Sequence, residues 1–209
     1  MSTKSKVFLL IFIILLIDQV SKIIVKTNMY MGESIPVIGN WFILHFIENN
    51  GMAFGFELAG NFGKMALSLF RIAAIAGLIW GIFHLIKKGA PTGFILALGL
   101  ITAGASGNIL DSAFYGLIFT DSSMTNPMIE GSGVATMFPA EGGYAGFLQG
   151  RVVDMFYFPV LKGYYPDWIP WKGGDPFIFF RPVFNIADSA ITIGVAWILL
   201  FQRKYLKTL

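Results

Sequence analysis

The stretch GFILALGLITAGASGNILDSAFYGLIF, Gly93 to Phe119, carries a single carboxylate, Asp111, in an otherwise uncharged run. A helix needs about 20 predominantly apolar residues to cross a bilayer, so this stretch predicts a transmembrane helix. Three further stretches are similarly apolar and run approximately from Val7 to Val25, Met65 to Ile86 and Val183 to Phe201. We therefore expect an integral membrane protein with four transmembrane helices.

The composition favours the same class. Of the 209 residues, 56% are hydrophobic and only 13% are charged, and the mean hydropathy is +0.69. Soluble domains average about 25% charged residues, so a soluble globular protein is disfavoured. The chain contains no cysteine, which excludes disulfide scaffolds, thiolate metal sites and cysteine nucleophiles.

Basic residues lie at one set of the predicted helix ends, with no acidic residue among them. Short loops rich in Lys and Arg stay in the cytoplasm, so we expect both termini to be cytoplasmic and segments 26–64 and 120–182 to be extracytoplasmic. Residues 1–209 then form a single membrane domain. The net charge of +3 reflects topology, and no nucleic-acid partner is expected. The basic residues are Lys4, Lys6, Lys87, Lys88, Arg203, Lys204 and Lys207.

The two outer segments differ in composition. The first contains W-F-I-L-H-F-I, Trp41 to Ile47, whose aromatic and β-branched residues favour a strand, followed by a Gly-bearing turn. We predict a small extracytoplasmic β-hairpin-like segment there in an otherwise all-α protein. The second segment is rich in Gly, Pro and aromatic residues, which is typical of chain that lies at the lipid headgroups.

Three aspartates, Asp18, Asp111 and Asp188, interrupt the predicted spans. Ionisable residues inside a membrane are costly to insert, so each is a functional candidate. Counted from the helix ends, all three lie about 8–12 Å inside the outer boundary. Asp154 belongs to the second outer segment, and its apolar setting V-V-D-M-F-Y-F suits a position on the membrane surface near the same level.

Polar partners accompany these acids at helical spacing. Asn precedes Asp by three residues in G-N-I-L-D (Gly107 to Asp111) and in F-N-I-A-D (Phe184 to Asp188), which predicts that each pair shares one helix face. Asp18 and Lys22 are four residues apart and can form an ion pair. Each pair also fits a purely structural role as a polar clamp between helices.

Asp154 and Asp188 suit a hydrolytic function. Two carboxylates close together in a low-dielectric site do not both ionise readily, so one keeps a proton while the other is a base, which equips them to add water to an amide. The histidines have no zinc-binding spacing, the serines have no well-placed base, and neither a metal nor a cofactor is expected. These histidines and serines are His45, His84, Ser68 and Ser106.

Five short motifs follow one another along the chain: D-Q-V-S-K (Asp18 to Lys22), N-N-G-M-A-F (Asn49 to Phe54), G-N-I-L-D (Gly107 to Asp111), G-R-V-V-D (Gly150 to Asp154) and F-N-I-A-D-S-A-I (Phe184 to Ile191). In this order they resemble the successive motifs of bacterial lipoprotein signal peptidase, the signal peptidase II family. Each motif alone is weak. Together they occur in family order across four predicted spans that cover nearly the whole chain.

The resemblance implies a four-helix aspartic endopeptidase of the bacterial cytoplasmic (inner) membrane, which we expect to be a monomer. Its substrates are diacylglyceryl-modified prolipoproteins, cleaved just before the lipobox cysteine near the outer leaflet, and membrane lipid surrounds it. By motif, the catalytic pair falls on Asp154 and Asp188. The supporting and substrate-binding positions fall on Asn49, Asn108, Asp111, Asn185, Asp18 and Lys22.

The chain departs from the family pattern in two places. Ser112 follows Asp111 where the family has Arg, and Arg151 or Arg181 are the candidates to replace that guanidinium. In addition, a long segment, Leu117 to Gln149, separates two motifs that compact members join within a few residues. This outer segment is interpreted as a lid, a partner surface or a tolerated insertion without function.

Two other functional classes compete with the peptidase hypothesis. A small proton- or ion-coupled transporter would also place acids inside the helix bundle, but it requires acids along a path, and no acid lies in the cytoplasmic half of any predicted span. A non-catalytic membrane scaffold would leave the pairing of Asp154 with Asp188 unexplained. Cleavage of a diacylated lipobox peptide by the purified protein distinguishes all three.

Overall fold

Four long helices dominate the residues that the computed structural model describes, which are 1–50, 60–124, 133–179 and 182–206. Three continuous helical segments are long and apolar enough to cross a membrane, Thr3–Asn28, Gly63–Lys87 and Thr92–Ile118, whereas the last long helix has 16 residues. The helices are α1 (Thr3–Asn28), α2 (Gly60–Lys87), α3 (Thr92–Leu110), the short α4 (Gly116–Ile118), α5 (Ile186–Phe201) and the short α6 (Arg203–Leu206).

The third predicted helix is not a regular α-helix to its end. A π-helical turn, Asp111–Tyr115, separates α3 from α4. A π turn widens the helix and frees carbonyl groups from the regular ladder. The backbone N–H of Gly150 donates to the carbonyl oxygen of Ser112 at 2.8 Å, so chain from outside the helix satisfies this turn.

The last long helix begins three residues later than the sequence predicts. Val183–Phe184 form a short strand, and the N-cap of α5 is Asn185, whose side chain accepts a hydrogen bond from the backbone N–H of Asp188. The Asp188 carboxylate accepts from the backbone N–H of Asn185 in return, which completes a capping box. The prediction that Asn185 and Asp188 share a helix face is therefore wrong, because Asn185 precedes the first helical residue.

An antiparallel sheet lies beside the helices, so the all-α prediction is too narrow. In the described residues its strand order is β1-β2-β3-β6, and β4 pairs separately with β5. The strand predicted at Trp41 to Ile47 is present as β2, but it pairs with a strand that precedes it. The Gly-bearing turn at Gly51 lies outside the described residues. The strands are β1 (Ser34–Ile38), β2 (Phe42–Asn49), β3 (Val152–Tyr157), β4 (Leu161–Tyr164), β5 (Pro176–Phe179) and β6 (Val183–Phe184).

Small residues on α3 allow its neighbours to approach closely. A Cβ atom added to Gly104 would lie 2.2 Å from the carbonyl oxygen of Ala187 on α5, and one added to Gly99 would lie 2.6 Å from Cγ2 of Val7 on α1. Small residues have this role in membrane helix bundles, where close backbone contact replaces the hydrophobic effect. The helix ends that carry Asp18, Asp111 and Asp188 are brought together in this way.

We expect Gly104→Ala to destabilise the protein, because the new methyl group collides with the Ala187 carbonyl. Overpacking of this kind costs about 1–3 kcal/mol. Gly77→Ala on α2 is the matched control, since a Cβ there meets no described atom within 4 Å and alanine favours a helix. Thermal unfolding in detergent measures both variants. Equal transition temperatures would contradict close packing of α3 on α5.

Candidate active site

A fully buried ammonium group, that of Lys22 on α1, forms the base of the site. Its Nζ atom lies 2.9 Å from Oδ2 of Asp18 and 2.8 Å from Oδ2 of Asp111, and both carboxylates are also buried. The two acids belong to α1 and to the start of the π turn. Because burial of one cation between two anions satisfies all three charges only when the groups are in contact, this triad joins α1 to α3.

The two carboxylates also accept hydrogen bonds from further elements. The backbone N–H of Ala187 donates to Oδ1 of Asp18 at 2.9 Å, and that of Val153 donates to Oδ2 of Asp111 at 3.3 Å. Gln19 donates from Nε2 to Oδ1 of Asp111 at 2.8 Å. These hydrogen bonds fix the start of α5 and the strand β3 relative to the triad.

Asn108 connects the triad to the acid on α5. Its Oδ1 atom accepts from Nζ of Lys22 at 3.0 Å and from Nδ2 of Asn185 at 3.2 Å. Its Nδ2 atom donates to Oδ1 of Asp188 at 2.8 Å. The cation therefore determines which end of the Asn108 amide faces Asp188, since only the amide oxygen can accept from the ammonium group.

Asp154 on β3 is held from two sides. Nδ2 of Asn185 donates to its Oδ1 at 2.7 Å and also reaches the carbonyl oxygen of Val153 at 3.1 Å. Nδ2 of Asn49, the last residue of β2, donates to the other oxygen, Oδ2. Asp154 and Asp188 are thus joined through a pair of asparagine side chains, with one carboxylate on the sheet and the other on a helix.

The two carboxylates differ in their surroundings. Burial, together with the nearby charge of Asp188, raises the pKa of Asp154 to about 7, although Lys22, Asn49 and Asn185 act in the opposite direction. Asp188 is only half-buried. Two carboxyl groups in different surroundings can divide the roles of acid and base in one reaction.

An open cavity lies beside Asp188. Its volume is about 520 Å³, which is in the range of ligand-binding clefts. The lining is mostly apolar, so the carboxylate stands at the edge of a space suited to hydrocarbon. The lining residues are Pro182, Phe184, Asp188, Ser189, Thr192 and Ile193.

All the candidate residues proposed from the sequence meet in this one network. The contacts run without interruption from Asn49 through Asp154, Asn185 and Asn108 to Asp188 on one side and to Lys22 on the other. In the described part of the chain, no group of three potential metal ligands is present, and no buried side-chain nitrogen or oxygen lacks a hydrogen-bond partner.

Sequence reasoning missed several polar residues near the site. Gln19 lies inside the D-Q-V-S-K motif, and Lys26 follows Lys22 by four residues on the same helix face, so their positions were detectable. Arg71, an ionisable residue within the second predicted span, is close enough to Asp188 for electrostatic attraction. Glu48 on β2, which binds Lys26, had no signal beyond its position next to Asn49.

Two arginines were candidates to replace the guanidinium group that the family pattern places after Asp111. Arg151 precedes β3 and binds Oε2 of Glu48 at 3.0 Å and Oδ1 of Asp121 at 2.7 Å. Arg181 lies outside the described residues. Ser112, the residue in place of the family Arg, donates from its hydroxyl group to the carbonyl oxygen of Asn108 at 3.1 Å.

Comparisons with known proteins agree on one family. The model of the family described as signal peptidase (SPase) II matches residues 10–203. The lipoprotein signal peptidase of Porphyromonas gingivalis is 49% identical over 191 residues, which are 91% of this chain and 79% of the relative. That of Amoebophilus asiaticus is 38% identical over 190 residues, which are 90% and 73% of the two chains.

A solved structure shares the fold. It is a bacterial membrane enzyme studied by the in meso method at 1.9 Å resolution, and it superposes with a TM-score of 0.58 at 25% identity. The superposition covers 94% of this chain and 91% of the other. The transporter alternative receives no support from these similarities.

We expect Lys22→Met to lower the free energy of unfolding by about 3–5 kcal/mol, because it leaves two buried carboxylates without their cation. Lys6→Met on the same helix is the matched control, since Lys6 is exposed. Chemical or thermal unfolding in detergent measures the difference. If both variants lose the same small amount, the triad does not stabilise the helices.

Proposed function

The chain belongs to the signal peptidase II family, and from this premise we propose that Asp154 and Asp188 are its catalytic pair. The protein is a membrane protease that removes the signal peptides of prolipoproteins. The observation that carries the catalytic assignment is that the two carboxylates share one asparagine network although they belong to different elements. An aspartic mechanism needs such a pair, with one proton between its members.

In the proposed reaction, the ionised carboxylate takes a proton from a water molecule as the water oxygen attacks the scissile carbonyl carbon. The protonated carboxyl group donates a hydrogen bond to the carbonyl oxygen as negative charge develops there. When the C–N bond breaks, the leaving nitrogen receives a proton from the acid formed in the first step. The raised pKa of Asp154 favours that residue as the initial acid and Asp188 as the initial base.

The supporting residues have separate tasks in this proposal. Asn185 and Asn49 hold the two oxygens of Asp154, and Asn108 holds one oxygen of Asp188. Asp18, Lys22 and Asp111 form the rigid base that orients Asn108. Preorganised hydrogen bonds of this kind maintain the reacting groups in position without reorganisation during the reaction.

The cavity beside Asp188 suits the lipid-modified side of the substrate. A diacylglyceryl-modified lipobox cysteine brings hydrocarbon next to the bond that is cleaved. The cavity offers apolar contacts from Phe184 and Ile193 within a few residues of Asp188. We infer that substrate acyl chains enter here from the membrane, so that the scissile bond lies between the two aspartates.

The topology in this proposal has four spans, with both termini cytoplasmic. The basic ends of the helices lie near one another: the hydroxyl groups of Thr3 and Thr92 are 3.1 Å apart, and Lys4 lies over the ring of Phe83. Positive charge at these ends favours the cytoplasmic side. The site lies at the other ends of α1 and α3, which favours a position near the outer leaflet for a single, monomeric membrane domain.

We expect Asp154→Asn and Asp188→Asn each to reduce cleavage of a diacylglyceryl-modified lipobox peptide at least about 100-fold, because an amide can serve as neither acid nor base. Both variants should stay folded, since the amide keeps the shape of the carboxyl group. Asp175→Asn, at an exposed position between β4 and β5, is the matched control. Substantial turnover by either catalytic variant would disprove aspartic catalysis, and loss of wild-type activity in EDTA would indicate a metal requirement.

The pH profile tests the single shared proton. A carboxyl group with a pKa of about 7 is protonated below that pH and ionised above it. We therefore expect kcat/KM to fall as the pH rises above about 7, because the pair then loses its acid. Initial rates on the lipobox peptide across the neutral range measure this. A rate that is constant from about pH 6 to 9 would contradict the assignment.

A further inference from the structure

A second group of buried charges, here called the outer ion cluster, lies beyond the catalytic network. The side chains of Lys26 on α1 and Glu48 on β2 are fully buried and form an ion pair through Glu48 Oε1. Arg151 binds the other oxygen, Oε2, at 3.0 Å. Buried charges are costly unless they are paired and hydrogen-bonded. The proposed catalytic steps use none of these three residues.

The segment between Leu117 and Gln149 supplies the rest of the cluster. The hydroxyl group of Ser122 donates to Oε1 of Glu48 at 2.9 Å, and Lys26 donates to the same hydroxyl at 2.8 Å. The hydroxyl oxygen of Tyr144 accepts from the backbone N–H of Arg151 at 2.7 Å, and its ring lies 4.8 Å from the guanidinium carbon. Ser122 and Tyr144 of this segment therefore belong to the outer ion cluster.

The cluster is joined directly to the residues around Asp154. Glu48 immediately precedes Asn49, which donates to Asp154, and Arg151 lies three residues before Asp154. In the pairing of β2 with β3, Glu48 is opposite Val153 and Asn49 is opposite Val152. Since successive side chains point to opposite faces of a strand, Glu48 binds on one face while Asn49 reaches the aspartate on the other.

The ion pairs of Glu48 hold together the strand ends that carry the hydrogen bond from Asn49 to Asp154. Lys26 connects the strand β2 to α1, and Arg151 connects β2 to β3. Both ion pairs use the carboxylate of Glu48. A slip of one residue between β2 and β3 would turn Asn49 to the wrong face, because strand faces alternate with a period of two.

We propose that Glu48 and Lys26 are positioning residues of the catalytic site, completed by Ser122 and Tyr144 of the outer segment. They hold Asn49 where its amide donates to Asp154. The proposal rests on the catalytic role of Asp154 given above. In this proposal the outer segment does not act as a lid. Its residue Ser122 binds the buried carboxylate of Glu48, on the face of the sheet opposite to the one on which Asn49 meets Asp154.

Loss of the ion pairs of Glu48 should change the pH dependence of kcat/KM, which general destabilisation of the fold would not do. The hydrogen bond from Asn49 favours the ionised form of Asp154, and Lys22 and Asn185 act in the same sense, whereas Asp188 opposes it. When Asn49 moves away, the pKa of Asp154 rises, so the alkaline fall in kcat/KM moves to higher pH. None of the cluster residues lines the cavity beside Asp188, so KM should change little.

The experiment compares Glu48→Gln, Asn49→Ala and the double variant on a diacylglyceryl-modified lipobox peptide. We expect Glu48→Gln to lower kcat about 10- to 100-fold, since a displacement near 1 Å can cost about 100-fold. KM should change less than about twofold. The alkaline limb should move to higher pH in both single variants. In the Asn49→Ala background, Glu48→Gln should cause no further loss of kcat, because its effect acts through Asn49.

Ser122→Ala keeps the proposal falsifiable if Glu48→Gln fails to fold. It removes one hydrogen bond from Glu48 and leaves every charge in place, so we expect a smaller loss of kcat with the same direction of pH displacement. Thr27→Ala is the control. In the described structure, the hydroxyl group of Thr27 hydrogen-bonds only to the carbonyl oxygen of Ile23 and to the side chain of Asn28. It should leave kcat and the pH profile unchanged.

The outcomes separate the two proposals. If Asp154→Asn is inactive while folded Glu48→Gln, or Ser122→Ala, has the kinetics and pH profile of the Thr27→Ala control, the positioning role is disproved and the catalytic pair stands. If Asp154→Asn retains activity, the catalytic assignment fails first. A loss of kcat in Glu48→Gln that is fully additive with that of Asn49→Ala would also overturn the inference, because the two residues would then act independently.

Discussion

The ammonium group of Lys22 lies fully buried between the carboxylates of Asp18 and Asp111. A cation in this position is stable only when its counter-charges and hydrogen bonds are complete, which restricts how α1 and α3 can pack. Asp18 also accepts from the backbone N–H of Ala187 at the start of α5, so the same triad also positions α5. The helices α1, α3 and α5 therefore meet at the level of the triad, and the network that joins Asp154 to Asp188 is built on it.

The amide groups of two asparagines connect the triad to Asp154 and Asp188. Asn108 accepts from Lys22 and from Asn185, which leaves its amide nitrogen to hold Asp188, and Asn185 in turn holds Asp154. Each asparagine transmits orientation because its donor and acceptor ends are different. Asn185 has an additional part as the N-cap of α5, so the start of the helix and the position of Asp154 are determined by one side chain.

The sheet and the outer segment contribute to the same region from the other side. Asp154 lies on the strand β3 rather than on a helix, and Asn49 reaches it from β2. The Glu48 carboxylate joins these strands to α1 and to the outer segment. The strand β3 carries Asp154 to the start of α5, where Asp188 lies. The helices alone would therefore supply only one member of the pair.

Local sequence was sufficient for three helical segments long and apolar enough to cross a membrane, for the acids that interrupt the apolar runs and for the five motifs, because hydropathy and residue spacing are properties of neighbouring residues. It did not predict the π turn at Asp111–Tyr115, the strands β3 and β6, or Asn185 as a cap. The π turn and the strands depend on partners far along the chain, such as Gly150 for the turn, whereas the cap at Asn185 is a local pairing with Asp188 inside a stretch that hydropathy alone assigned to the span. The candidate site residues could therefore be named from the sequence, whereas most of the hydrogen bonds that orient them were decided only when distant segments met in the tertiary structure.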